Sequence, residues 1–198
     1  MKKISVIIPV YNQEVLVLKA LDSIPKNDDI EIIVINDCST DNTLNVLYEY
    51  QKNRDIIILN NEINRGVGYT VNRGYDIAQG EYIVLLGSDD YFITEEFNKI
   101  YSYLNGTDLV YFNLRINDLT VWRVNEVSSR GYVGSVKFMR REFIGDTRCP
   151  DKRQAEDFDF FQELLKKNPT EFFTDLTIKH YNFPREGSLY WNMTHKER

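Results

Sequence analysis

The sequence predicts an α/β protein with a doubly wound, mostly parallel sheet flanked by helices, and three observations carry that prediction. Strand-like and helix-like segments alternate through the first half of the chain. The strand-like segments are nearly continuous in Ile and Val, the pattern of strands buried on both faces. Each also runs straight into a polar cluster. In an open α/β sheet the ligand crevice lies beyond the carboxyl ends of the strands, so these clusters are expected to converge on one site.

The elements follow in order. Ser5 to Val10 leads to Tyr11-Asn12, and the spacing of Val15, Leu18 and Leu21 predicts a helix after it. Ile30 to Ile35 leads to Asn36-Asp37; Asp41 is placed to cap the next helix, where Leu44, Leu47, Tyr48 and Gln51 recur at helical intervals. Ile56 to Leu59 leads to Asn60 through Arg65, and a third helix is expected over 69–78, closed by Gly80. Glu81 to Leu86 leads to Gly87-Ser88-Asp89-Asp90.

The second half is less regular. Residues 94–104 read as helix, with Glu95 and Glu96 suited to its first turn. Strands are expected over 108–112 and 119–124, then a short helix over 136–143 and a charged loop over 145–154. A helix over 156–167 carries Phe158, Phe161, Leu164 and Leu165 on one face, and 178–183 closes as a strand.

The chain has 198 residues, 42% hydrophobic and 27% charged, which suits one folded domain rather than a disordered polymer. Within 1–198 the change in regularity divides the chain into halves of 1–92 and 93–198. A net charge of −6 argues against a nucleic-acid surface, which needs clustered Lys and Arg. No apolar run reaches the roughly 20 residues that span a bilayer, and Pro9, Tyr11, Asn12 and Glu14 interrupt any leader-like core. The expected location is therefore the cytoplasm, where Cys38 and Cys149 should stay reduced; two cysteines are too few for a zinc site.

Four clusters carry chemistry. Adjacent Asp89 and Asp90 at a strand end repel each other, and a hard cation such as Mg²⁺ or Mn²⁺ bridging to a diphosphate would relieve them. The plainer reading is a turn that caps the helix at Thr94. Asp37 is suited to accept hydrogen bonds from a ribose or a base, or to begin a turn; Pro9 and Tyr11 would floor a planar base or simply pack. Asn64-Arg65-Gly66-Val67-Gly68 places glycines and a cation where a loop enters a helix, a setting that favours anions. Glu156-Asp157 opens a helix after a polar loop and reads as a proton acceptor or as a helix cap. His180, alone in an apolar-flanked strand, reads first as structural.

Together these residues resemble the family 2 glycosyltransferases of the GT-A fold. The resemblance runs from Ser5 through Asn12, Ile33 through Asp41, Asn64-Arg65-Gly66 with Asn72-Arg73-Gly74, and Gly80 through Asp90 to Glu156-Asp157-Phe158-Asp159. A closing aromatic-Arg-Ser stretch over 181–188 matches as well. It implies a Rossmann-like sheet with a smaller mixed acceptor-side region, a nucleotide-sugar-binding half over 1–92 and an acceptor-binding half over 93–198. It also implies an inverting hexosyltransferase of polysaccharide biosynthesis, with a nucleotide-sugar donor, a UDP-sugar, and a glycan or lipid-linked saccharide acceptor. Pro9, Tyr11, Asn12, Asp37, Asn64, Arg65, Gly66 and Ser88 would bind the nucleotide. Asp89, with Asp90 and His180 near it, would hold Mn²⁺ or Mg²⁺ in a DXD-type motif. Asp157 would be the catalytic base, with Glu156 positioning the acceptor or the base itself.

Gly87 stands where the family motif often has its first Asp, which keeps open a catalytically weak or inactive nucleotide-sugar-binding protein. A nucleotidyltransferase is the other rival, but Tyr11-Asn12-Gln13-Glu14 lacks that class's basic glycine-rich loop. A lipid-linked acceptor would bring the protein to the inner face of the membrane by peripheral association, and the sequence leaves a homodimer open.

Overall fold

The computed structural model describes residues 2–116, 120–126, 128, 136–152 and 155–182. Strands β1 (Ile4–Val10), β2 (Ile30–Asn36), β3 (Ile57–Asn60) and β4 (Tyr82–Leu85) alternate with helices α1 (Leu16–Asp22), α2 (Thr43–Gln51) and α3 (Val67–Ile77). β1 pairs in parallel with β2 and with β4, and β2 with β3, so β1 lies between strands reached by opposite crossovers. Both faces of β1 and β2 are buried, as their unbroken apolar runs require.

The second half extends the same sheet. β5 (Tyr91–Phe92) and α4 (Thr94–Asn98), continued by a 3-10 turn over Lys99–Tyr103, precede β6 (Leu109–Ile116) and β7 (Thr120–Trp122). Then come β8 (Lys137–Arg140), α5 (Arg141–Ile144), α6 (Glu156–Leu165) and β9 (Glu171–Tyr181). The strand order is β3-β2-β1-β4-β8-β6-β9-β5, with β7 on β6.

Two expectations are corrected. Residues 137–140 form a strand, not the start of a helix, inserted antiparallel between β4 and β6. Phe138 turns to one face, against the rings of Phe97 and Phe112, each at 5.6 Å. Gly80 is no left-handed helix cap: α3 ends at Ala78 in extended conformation. Gly80 is needed for close approach, because a Cβ there would lie 2.5 Å from the Ser5 nitrogen. Its N–H and that of Gln79 donate to the buried Glu31 carboxylate, which also accepts from the Ser5 hydroxyl. Asp41 does accept the Thr43 N–H at 3.0 Å, capping α2 from one position before its geometric cap. Phe183 and the aromatic-Arg-Ser stretch beyond it lie outside the described residues, as does Leu119.

Candidate active site

A cavity of about 260 Å³ opens at the switch point, where the chain leaves β1 for β2 on one side and returns to β4 on the other. Pro9 from the end of β1 and Leu85, Leu86 and Gly87 from the end of β4 form its floor. Val67, Gly68, Val71 and Tyr75, on one face of α3, make one wall. Glu156, Asp157 and Phe160 of α6 face them, with Cys149, and β8 contributes Lys137 and Met139. The two walls touch closely: a Cβ on Gly68 would lie 2.7 Å from Glu156 Cγ and 3.3 Å from Cys149 Cβ.

Asp37 organises the loop after β3. Its Oδ1 accepts from Asn61 Nδ2 at 2.7 Å and from the Arg65 N–H at 2.9 Å, and its Oδ2 accepts the Gly66 N–H at 2.8 Å. Asn64 Nδ2 donates to the Asp37 carbonyl. Gly66, at φ 87°, allows the chain to turn from this clamp into α3. Arg65 reaches out over Tyr69, 4.4 Å from the ring centroid, and pairs with Asp151 at 3.2 Å. Arg73 is drawn inward, donating to the Asn60 carbonyl and to Asn61 Oδ1. Asn12, in left-handed conformation, ties the end of β1 to the loop after β2 through Ser39 and Thr40. Tyr11 beside it is exposed.

The acidic cluster after β4 divides in two. Asp89 is half-buried, whereas Asp90 and Ser88 are buried. Asp90 Oδ2 lies 3.3 Å from Lys179 Nζ, and its Oδ1 accepts the Asn182 N–H at 3.1 Å. Burial holds the Asp90 carboxyl above the usual range, although the Lys179 charge pulls the other way. His180 is next to Lys179 on β9 and faces the opposite side of the strand. There its ring stacks on Tyr91 with centroids 4.3 Å apart.

The carboxylates of α6 also differ. Glu156 is buried against Gly68, and that burial raises its pKa, with the Asp157 charge adding to the rise. Asp157 is exposed at the cavity mouth. The loop before α6 is stitched to α3: Asn72 exchanges hydrogen bonds of 2.8 Å with the Cys149 N–H and carbonyl, and Arg148 pairs with Asp76. Both cysteines are free thiols, and burial pushes that of Cys149 up to about 12.

Of the residues expected at the site, Pro9, Glu156 and Asp157 line the cavity. Asp37, Asn64, Arg65 and Gly66 form the adjoining clamp, and Asp90 and His180 belong to the β5–β9 side. Sequence reasoning missed Lys137, Tyr75 and Cys149. Lys137 had a signal, a lone charge within Val136-Lys137-Phe138-Met139. Tyr75, whose buried hydroxyl has no hydrogen-bond partner among the described residues, had none.

The family profile described as glycosyl transferase family 2 matches residues 5–165. The chain belongs to that family. One relative, the poly(ribitol-phosphate) beta-glucosyltransferase of Bacillus spizizenii, is 32% identical over 185 residues, 88% of this chain and 27% of that protein. The GalNAc(5)-diNAcBac-PP-undecaprenol beta-1,3-glucosyltransferase of Campylobacter jejuni is 29% identical over 96% of this chain and 62% of its own length. The crystal structure of S. aureus TarS 1-349 in complex with UDP-GlcNAc superposes with a TM-score of 0.81 at 25% identity, over 94% of this chain and 60% of that one. The mannosyltransferase PcManGT of Pyrobaculum calidifontis, in complex with GDP-Man and Mn²⁺, shares the fold at TM-score 0.80 and 20% identity, over 96% and 60%. The chain spans less than two thirds of the length of each. These likenesses bear out the GT-A fold expected from the sequence.

Proposed function

We propose that this chain transfers a hexosyl group from a nucleotide-diphosphate sugar, a UDP-sugar, to a hydroxyl of a glycan or lipid-linked acceptor, with inversion. The observation that carries the reading is the switch-point cavity, which sets Asp157 across from the ends of β1 and β4. The UDP-GlcNAc bound to TarS supports a uridine donor, and the undecaprenol-linked substrate named for the C. jejuni enzyme supports an acceptor at a membrane face. Among the described residues no helix is long and apolar enough to cross a membrane.

Pro9 and Tyr11 would flank the base, and Asp37 would act by holding Arg65 and Gly66 in place for the nucleotide. As the acceptor oxygen attacks the anomeric carbon, its proton passes to Asp157. The carbon–oxygen bond to the diphosphate breaks in the same displacement, and its electron pair leaves with the nucleotide. A positioned base contributes roughly 10²–10⁴-fold.

No group of three His, Cys, Asp or Glu side chains among the described residues is arranged to hold a metal. Asp90 is buried and engaged by Lys179 and Asn182, whereas Asp89 beside it is half-buried and more open to solvent. One carboxylate plus substrate phosphates and water is a set that Mg²⁺ or Mn²⁺ accepts, so the residues fit a cation shared with the donor. Such a cation would supply charge neutralisation at the departing diphosphate.

Calorimetry with UDP and a panel of UDP-sugars, in Mn²⁺ and then in excess chelator, tests the reading. Metal-dependent binding that prefers one sugar, lost in Asp89→Asn, is the expected result; absence of binding in either condition overturns it. Gly87 favours a second reading, a binder with little transferase activity. A Cβ there would lie only 3.0–3.1 Å from the Asp90 and Asp89 carboxylate oxygens, and the motif lacks a carboxylate at this position. That reading requires tight donor binding with neither transfer nor donor hydrolysis.

A further inference from the structure

Tyr75 carries a hydroxyl that the fold leaves unsatisfied. It lies on the face of α3 that lines the switch-point cavity, one turn after Val71 and two after Val67 and Gly68. The residue is 5% exposed, and its ring stacks on Phe160 of α6 with centroids 5.3 Å apart. Its hydroxyl meets no hydrogen-bond partner among the described residues. A buried hydroxyl left unpaired is destabilising, and phenylalanine would place the same ring there without that cost. Burial also holds the Tyr75 pKa well above its ordinary value, so the hydroxyl keeps its proton and stays a donor.

We propose that Tyr75 is a specificity-determining residue, its hydroxyl donating to the carbonyl oxygen of an N-acyl group on the donor sugar. The inference rests on the donor reading above and narrows its sugar to an N-acylated hexosamine. The Asp37 clamp holds Gly66 at the N-terminal end of α3, and Tyr75 lies two turns along the helix. What reaches it is therefore a substituent of the donor's far, sugar end. A cavity of roughly 150 Å³ holds a benzene ring, so one of about 260 Å³ admits such a substituent with part of its ring. Pro9, Val71, Leu85, Leu86, Met139 and Phe160 make most of the wall apolar. The hydroxyls of a plain hexose, turned against that wall, would lose water and face methyl and methylene groups. An acetamido group divides as the cavity does: its methyl meets the apolar wall while its carbonyl oxygen accepts from Tyr75. A carboxylated sugar suits the site less, because Glu156 and Asp157 set two carboxyls against the ammonium of Lys137.

The test is calorimetry on the full chain and on Tyr75→Phe, in Mn²⁺. The probes are UDP, UDP-glucose, UDP-galactose, their N-acetylhexosamine counterparts and UDP-glucuronic acid. Wild type should bind one N-acetylated donor roughly tenfold or more tightly than its parent hexose donor, from one hydrogen bond and a buried methyl. Tyr75→Phe should cut that preference roughly 3–10-fold, the contribution of the hydrogen bond, and change affinity for the parent far less. Thermal unfolding without ligand separates recognition from structure. Tyr75→Phe should be as stable as wild type or more so, since it removes an unpaired hydroxyl. A loss of stability would mean that the hydroxyl is bonded within the fold, and overturns the proposal. So does an N-acetyl preference that survives unchanged in Tyr75→Phe, or a preference for the parent hexose or the uronate. Binding of UDP with no preference among sugars overturns this inference and leaves the donor reading standing. If neither UDP nor any UDP-sugar binds, the donor reading has failed and the inference falls with it.

Discussion

Asp90 and Lys179 form an ion pair of 3.3 Å with 4% and 2% of their side chains exposed, joining the acidic cluster after β4 to the far strand β9. Breaking a buried pair by neutralising one partner leaves the other charge stranded, at a cost of about 3–5 kcal/mol. Asp90→Asn and Lys179→Met should each lose stability on that scale in urea denaturation. The double variant should lose much less than their sum. The raised pKa of Asp90 adds a pH signature with a definite sign. The folded state holds this proton more tightly than the unfolded chain, so its contribution to stability is present at low pH. It is lost as pH rises through the raised value.

Asp37 accepts three N–H donors that lie 24 to 29 residues ahead of it. Hydrogen bonds to a charged group contribute about 1.5–3 kcal/mol each, and less than additively. Asp37→Ala should therefore cost about 3 kcal/mol or more and release the Asn61–Gly66 turn. Denaturation would measure the loss. Hydrogen exchange at the Arg65 and Gly66 amides would show whether the clamp has opened.

Gly68→Ala sets helix propensity against packing. Alanine in a helix gains up to about 1 kcal/mol over glycine, but the added methyl meets Glu156 Cγ at 2.7 Å. Overpacking costs about 1–3 kcal/mol, so a net loss is expected in urea denaturation. Glu156→Ala introduced beside it should recover most of that loss, which places the strain at this contact.

What the sequence disclosed follows from where the interactions lie. The unbroken runs in β1 and β2 report burial on both faces directly, so the parallel core was readable. β8 was not, because its partners β4 and β6 are distant in sequence and Arg140-Arg141-Glu142 continues it as a helix would begin. Asp37 was identified as a site residue from its setting, yet its partners are backbone amides from another loop, which leave no mark in residue type. Asp89 and Asp90 look equivalent in sequence; only the pairing of Asp90 with Lys179, 89 positions later, separates them.

The buried ammonium of Lys137 gives stability a pH dependence of definite sign. Its folded value, about 7, lies below the ordinary lysine value of 10.5. Between those values the unfolded chain binds more protons, so this group makes the protein more stable as pH rises, by up to about 1.4 kcal/mol per pH unit. Lys137→Met should accordingly be more stable than wild type, with the larger margin at pH 6 and the smaller at pH 9. Thermal unfolding across that range would measure it.

Asp157→Asn removes the proposed proton acceptor from an exposed position where its bulk hardly matters. Turnover should fall roughly 10²–10⁴-fold, with calorimetric donor binding close to wild type. Turnover within a few-fold of wild type would take the base assignment away from Asp157.

The insertion of β8 between β4 and β6 has a consequence for any attempt to isolate the nucleotide-binding half. A fragment ending near Phe92 would keep β1 to β4 but strip the outer side of β4 of its hydrogen-bond partner. Even at four residues, β4 would then present an apolar, unpaired edge, and such edges recruit other chains. Such a fragment would self-associate before it could bind a nucleotide. The smallest soluble piece of this chain must therefore reach past Arg140, even though every predicted nucleotide contact lies before Tyr91.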